Sequence, residues 1–335
     1  MSVAIGQRRR IRLDLLQNPF GPTERVLDAI AADDPQLQSA ADLEVRLRER
    51  LGAIAGVPAS WIVLANGVDE LTAMIARWRS DHGPLLVFPP TDPAQEAWVG
   101  QYGAQVERIP RRKGFLMPVD ASDSGLPRGA TALVMSPNDP SGTVITVQET
   151  VRLTRQCAVV VVDERHATYS PRTILPLTRE FENLVVVQTF ETWAGLASLP
   201  LAWAVAPPKL AREIARRSRP SGVARLSLVA ALATLDDLTA VMASVRRVMI
   251  EKGRLFRQIR KLNMISPPYP SWANFLLCRF ERGSADFFVP RLAERGIDVH
   301  RPPHPELRNH VRISAVSADW TNALKQALID IALEL

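Results

Sequence analysis

A chain of 335 residues with 47% hydrophobic and 23% charged side chains is neither disordered, nor collagen-like, nor a small disulfide-stapled scaffold, and it carries enough apolar material for a sizeable core. The length exceeds what one core ordinarily serves, so a large domain with a smaller one is expected. The net charge of +6 is modest and dispersed, weak grounds for nucleic acid, and no apolar run reaches the roughly 18 residues of a bilayer span.

Cys157 and Cys278 lie in apolar surroundings without metal-ligand spacing, so buried thiols in a reducing compartment are expected. The cluster Arg8, Arg9, Arg10 precedes no apolar stretch of signal-peptide length and reads as a solvated arm. The expectation is a cytoplasmic protein with neither a nucleic-acid nor a membrane partner. Only five of the 41 basic residues are lysines, namely Lys113, Lys209, Lys252, Lys261 and Lys325.

Along the chain, Ala40 to Ile54 has helical spacing and stops at Gly56, Val57 and Pro58. Trp61 to Leu64 reads as a strand opening through Asn66, Gly67, Val68 and Asp69 into a helix from Glu70 to Arg79. A strand, a glycine turn and a helix make the geometry in which a helix N-terminus can receive an anion. Leu85 to Phe88 reads as a strand, Ala94 to Tyr102 as a helix and Gln105 to Ile109 as a strand.

Ala132 to Met135 is a strand running into the turn Ser136 to Gly142. Val159 to Val162 is β-branched without alternation, which predicts a strand buried on both faces and ending at Asp163 and Glu164. Leu184 to Gln188 and Leu201 to Val205 follow as strands around a polar turn. A long helical stretch covers Leu226 to Lys261. Strands from Trp272, Gly296 and His310 and helices from Ala285 and after Ser314 then predict a separate α+β unit.

The pattern gives an α/β class: a three-layer, mostly parallel sheet with a smaller α+β C-terminal domain. The expected division is an arm at 1–30, a large domain at 31–245 and a small domain at 246–335. Ligands of such sheets bind beyond the carboxyl ends of the strands. The polar residues there are Asp69, Asp92, Asp139, Asp163, His166, Glu191 and Thr192. Convergence of Asp92, Asp139, Asp163, Glu191 and His166 would make an acidic cavity with one imidazole, suited to a cation, an amine or a metal. The plainer reading leaves several of them facing solvent, and no metal site is assigned.

In this order the turns resemble those of fold-type I pyridoxal phosphate (PLP) enzymes, and within them the histidinol-phosphate aminotransferase family, over nearly the whole chain. Gln17 to Pro22 resembles Asn-Glu-Asn-Pro-Tyr-Gly-Pro, Asn66 to Glu70 resembles Asn-Gly-Ser-Asp-Glu, and Ser136 to Gly142 resembles Ser-Pro-Asn-Asn-Pro-Thr-Gly. Asp163, Glu164, Arg165 and His166 stand where Asp-Glu-Ala-Tyr is expected. Thr189 to Pro200 is similar to Thr-Phe-Ser-Lys-Ala-Phe-Gly-Leu-Ala-Gly-Leu-Arg, and Ala273 to Phe275 and Val311 to Ile313 resemble two C-terminal signatures.

Carried over residue by residue, the resemblance sets the Schiff-base lysine on Thr192, with the register fixed by Gly195, Leu196, Ala197 and Leu199. A hydroxyl forms no imine with an aldehyde. The preceding serine falls on Glu191, the phosphate-binding arginine on Pro200, the asparagine and tyrosine of the cofactor phenolate on Asp139 and His166, and two tyrosines on Asp92 and Gln95. Gly67, Val68 and Asp69 stand in the remaining cofactor turn. Asp163 keeps the place of the pyridinium partner, and Arg312, with Asn18 and Asn274, that of the substrate-carboxylate binders. As structural residues, Asp163 would cap its turn and Arg312 would serve a salt bridge.

Three functions follow as expectations. One is a repurposed enzyme doing PLP-independent chemistry on a small amino- or carboxylate-bearing molecule, with His166 as a general base and Arg312 holding a carboxylate. Another is a catalytically silent ligand-binding or partner subunit. The least favoured is an active histidinol-phosphate-type aminotransferase. No cofactor is expected, PLP being that of the family, and the resemblance implies a homodimer with a small-molecule ligand.

Overall fold

In a computed structural model of the chain, residues 10–34, 39–101, 105–119, 125–218 and 222–335 are described. The strands among them are β1 (Ile11–Arg12), β2 (Ile62–Ala65), β3 (Leu85–Val87), β4 (Val106–Arg108), β5 (Thr131–Met135), β6 (Val159–Asp163), β7 (Leu184–Thr189), β8 (Ala202–Val205), β9 (Phe275–Arg279), β10 (Ile297–Asp298) and β11 (His310–Ser314). The helices are α1 (Glu24–Ala31), α2 (Ala40–Ala55), α3 (Val68–Arg79), α4 (Pro93–Gly100), α5 (Val147–Gln156), α6 (Pro208–Ala215), α7 (Arg225–Asp236), α8 (Leu238–Ile259), α9 (Ala285–Glu294) and α10 (Ala318–Ala332).

Seven strands form the central sheet in the order β2-β8-β7-β6-β5-β3-β4. The four pairings from β7 to β4 are parallel, while β8 runs antiparallel to both β7 and β2. Period-two alternation divides each strand between two apolar layers. Val159 and Val161 of β6 pack with α3 and α6, and Val160 and Val162 pack with Leu153 of α5. Each fully buried valine contributes about 1.5 kcal/mol or more of hydrophobic stabilisation, which fixes a strand with no polar residue before its end.

Local signals set the helix starts. Ser39 and Asp42 form a reciprocal capping box on α2, and Thr146 and Glu149 form one on α5. Asp92 caps α4 by accepting from Ala94 N–H. The helical stretch expected from Leu226 to Lys261 is two helices, α7 and α8, meeting at Asp237 with an 86° bend. The expected boundary at 245/246 therefore falls inside α8.

Periodicity did not single out β1, α1, α5 or α6. β1 has two residues and pairs in parallel with β10, so the arm is tied to the C-terminal region by a contact distant in sequence. β9 and β11 form a separate antiparallel pair. Among the described residues no single helix is long and apolar enough to cross a membrane.

Candidate active site at the strand ends

The strand ends bring Asp163, Arg165, His166, Asp92, Asp139, Glu191, Thr192 and Arg312 into one cleft, joined by the contacts that follow. At the end of β6, Asp163 is buried, and both its carboxylate oxygens are engaged by Arg165. Oδ1 accepts from the Arg165 backbone N–H at 3.0 Å, and Oδ2 accepts from Nε at 2.9 Å and Nη2 at 2.7 Å. The same guanidinium reaches Asp92 Oδ2 at 3.3 Å. Burial would lower the pKa of Arg165, but Asp163, Asp92 and Asp69 outweigh it and raise it. Arg165, a residue sequence reasoning passed over, pairs with Asp163 and Asp92 and so makes the cleft less acidic than convergence of its carboxylates alone would. The signal was available, because an arginine stands where the resembling motif has a small alanine.

Arg312 on β11 is ion-paired with buried Asp139, and its Nη2 donates to the Asp14 carbonyl at 2.7 Å. Its Nε has no partner among the described atoms. Asn274 donates to the Leu16 carbonyl at 2.7 Å while its Oδ1 is unpartnered. Asn18 is fully used by the fold: it donates to the Trp193 carbonyl and Ser244 Oγ and accepts from Phe20 N–H.

Gly67 adopts a φ of +90° before α3, and a Cβ there would lie 3.1 Å from Glu191 Oε1. Glu191 accepts from Thr189 Oγ1 at 2.9 Å, and its carboxylate lies against the Gly67 turn at this helix start, on the side where an anion would be received. Burial raises the Glu191 pKa against that hydrogen bond. Thr192 Oγ1 donates to the Arg165 carbonyl at 2.6 Å.

His166 differs from the general base expected. The residue is 1% exposed, neither ring nitrogen has a partner among the described atoms, and burial, with Arg165 nearby, pushes its pKa down to about 3. It stands edge-on to Phe275 at 5.6 Å, and the Arg312 guanidinium lies over the same ring at 5.5 Å. A histidine that stays neutral across the physiological range is a hydrogen-bonding group rather than a proton store. Among the described residues no group of three histidine, cysteine or acidic side chains could hold a metal ion.

A cavity of about 260 Å³ opens beside this cleft, lined by Asp92, Asp139, Arg312, Thr91, His300 and His304 among others. A larger hollow of about 550 Å³, lined by Arg12, Phe20 and Trp320, contains none of the site residues. The side chain of Trp98 and the whole of Tyr102 lie outside the described residues. Trp193 is buried, its indole donating to the Thr189 carbonyl at 2.5 Å, and Trp272 lies under Arg172.

Tested against PLP, these residues do not fit the group as they stand. Asp163 could face a pyridinium and Arg312 with Asn274 a carboxylate, but Arg165 and Asp139 already hold those charges. Thr192 supplies a hydroxyl where an amine would be needed, and Glu191 opposes a phosphate at α3. Lys252 donates to the Ser271 carbonyl at 2.7 Å, and burial brings its pKa down to about 8. No catalytic step is routed through the cofactor for this reason.

The comparisons bear directly on the expected function. A histidinol-phosphate aminotransferase from Roseiflexus castenholzii is 32% identical over 97% of this chain and 90% of its own length. The chloroplastic histidinol-phosphate aminotransferase 1 of Arabidopsis thaliana is 29% identical over 98% of this chain and 80% of its own. Among solved structures, the histidinol-phosphate aminotransferase of Clostridium acetobutylicum superposes with a TM-score of 0.86 at 18% identity, covering 97% of this chain and all of that one. That of Sinorhizobium meliloti, solved in complex with pyridoxal-5'-phosphate, gives 0.83 at 22% identity, covering 97% and 91%.

These findings correct two expectations. A silent or cofactor-independent protein is not what near-full-length relatives carrying the enzyme's name point to; they point to an active aminotransferase. The expectation of no cofactor is overturned by the same relatives and by the neighbour that contains PLP. The expected fold stands, with its mostly parallel sheet and fold-type I neighbours. With residues 11–330 matching the family described as aminotransferase class I and II, the chain belongs to that family.

Proposed function

We propose that this protein is a PLP-dependent aminotransferase acting on a small amine of the histidinol-phosphate class. The observation that carries the reading is the near-full-length relationship to enzymes of that name, the nearest reported above being 32% identical over 97% of the chain. Asp163 at the end of β6 and Arg312, which borders the cavity of about 260 Å³ with its Nε unpartnered among the described atoms, could meet a ligand's charges once Arg165 and Asp139 give way.

PLP would supply an electrophilic carbon and an electron sink for amino-group transfer. The chain's own part is to orient the ligand. Arg312 and Asn274 would hold an anionic end, Asp163 would favour a cationic ring nitrogen, and neutral His166 would offer one hydrogen bond.

The partner would be a second copy of the chain, giving twice the 37.1 kDa mass by light scattering. The test is to add PLP, histidinol phosphate and 2-oxoglutarate to purified protein and measure glutamate formation and retained cofactor. Glutamate at a rate above a protein-free control supports the reading. The absence of both turnover and PLP binding overturns it.

A further inference from the structure

The three ion-paired or capped positions in the cleft share one feature. Each places a charge of the chain against a group that could otherwise face a ligand. Arg165 engages both oxygens of Asp163, Oδ1 through its backbone N–H and Oδ2 through its guanidinium. The Asp139 carboxylate takes Arg312. The Glu191 carboxylate lies against the Gly67 turn at the start of α3, its Oε1 3.1 Å from where a Cβ on Gly67 would stand. These charges come from four different loops or strands, and only Asp163 and Arg165 are close in sequence.

We propose that the cleft rests in a closed, self-neutralised state: Arg165, Asp139 and Glu191 stand where a ligand's ring cation, carboxylate and phosphate would lie, and binding must displace them. The identity of the ligand rests on the aminotransferase reading; the three internal pairings do not.

The burial of the pairs makes them matter. The Arg165 side chain is 15% exposed and its partner Asp163 is 4% exposed, while Arg312 and Asp139 are 6% and 10% exposed. A ligand must exchange each desolvated pair for a new one, so its binding energy is spent partly on opening the cleft. The polar atoms around Phe275 are not satisfied in this closed arrangement. Both His166 nitrogens, Asn274 Oδ1 and Arg312 Nε lack partners among the described atoms. Buried orphans at a self-paired centre are the groups an entering ligand would reach.

Thr192 and Asp92 hold the closed form. Thr192 Oγ1 fixes the Arg165 carbonyl at 2.6 Å, and Asp92 steadies its guanidinium at 3.3 Å while capping α4. Asp92→Asn removes the charge and keeps a good helix cap, so it loosens Arg165 even if Arg165→Ala does not fold.

The experiment titrates the full-length protein with three probes. Pyridoxamine phosphate needs no lysine for an imine and tests Arg165; succinate tests Asp139; inorganic phosphate tests Glu191. Arg165→Ala, and to a lesser degree Asp92→Asn, are expected to bind pyridoxamine phosphate about tenfold more tightly than the unaltered chain. Asp139→Asn is expected to do the same for succinate, and Glu191→Gln for phosphate.

Weaker binding in Arg165→Ala would make Arg165 a ligand-holding cation and overturn the proposal. Unchanged affinity of Asp139→Asn for succinate and of Glu191→Gln for phosphate would overturn it as well. Tighter succinate and phosphate binding in those variants, with no pyridoxamine phosphate binding by any form, would uphold the closed state and sink the cofactor reading alone.

Discussion

Two halves of one strand and its continuation are built on opposite principles. From Val159 to Val162, β6 is buried on both faces and holds its place through apolar packing against α3, α6 and α5. From Asp163 to His166, the chain stays buried except at Arg165 but carries an acid, another acid, an arginine and a histidine. The first half tolerates any close exchange of apolar shape. The second holds only while each charge keeps its partner. Glu164 illustrates that rule, because burial raises its pKa while Thr173, Ile174 and Gln188 all donate to it.

The sharpest way to break the contrast is to remove a charge from the rim. Arg165→Ala leaves Asp163 buried without its cation and should cost about 3–5 kcal/mol of stability. Combining it with Asp163→Asn should recover most of that. Urea denaturation of the single and double variants checks this, and equal losses in both would show that the pair does not set the stability of the rim.

An apolar truncation is the counterpart in the sheet. Leu133→Ala on β5, whose side chain packs in the layer of α3 and α6, should cost about 2–5 kcal/mol. The measured pocket affinity should not change, since no strand-end charge is touched. A shift in succinate or phosphate affinity would mean that core and rim are not independent.

The smallest effect is one of pH. The folded pKa of His166 is about 3, below the 6.5 of an unperturbed histidine. Between those values the unfolded chain binds a proton that the folded chain refuses, so stability rises with pH there. The contribution is complete above about pH 6.5 and is lost as the pH falls toward 3, the loss amounting to about 2 kcal/mol at pH 5. His166→Phe should flatten this part of the profile in denaturation midpoints between pH 7 and 5. An unchanged slope would mean that water or a ligand reaches the ring.

The strands of the sheet were readable because their burial leaves a continuous apolar run, and α2 because its apolar residues recur at helical spacing up to Gly56. The pieces missed lacked that local signal. β1 is two residues long and exists only through β10. The bend between α7 and α8 at Asp237 carries neither glycine nor proline to announce it. In the cleft, spacing brought Asp92, Asp139, Asp163, His166, Glu191 and Thr192 forward as candidates, yet it gave no partner for any of them. Arg165 was quoted within its motif and given no task, because nothing in a sequence says which carboxylate an arginine will meet.

The sequence by itself determined the layered α/β class, the order of the strand-end turns and the residue types at them. These are local properties, set by periodicity, β-branching and turn chemistry. Only the tertiary structure decided the charge state of the cleft, because Arg312 comes to Asp139 from 173 positions away and Arg165 to Asp92 from 73. Electrostatics inside a protein depends on distance and burial, and neither is written in the order of residues.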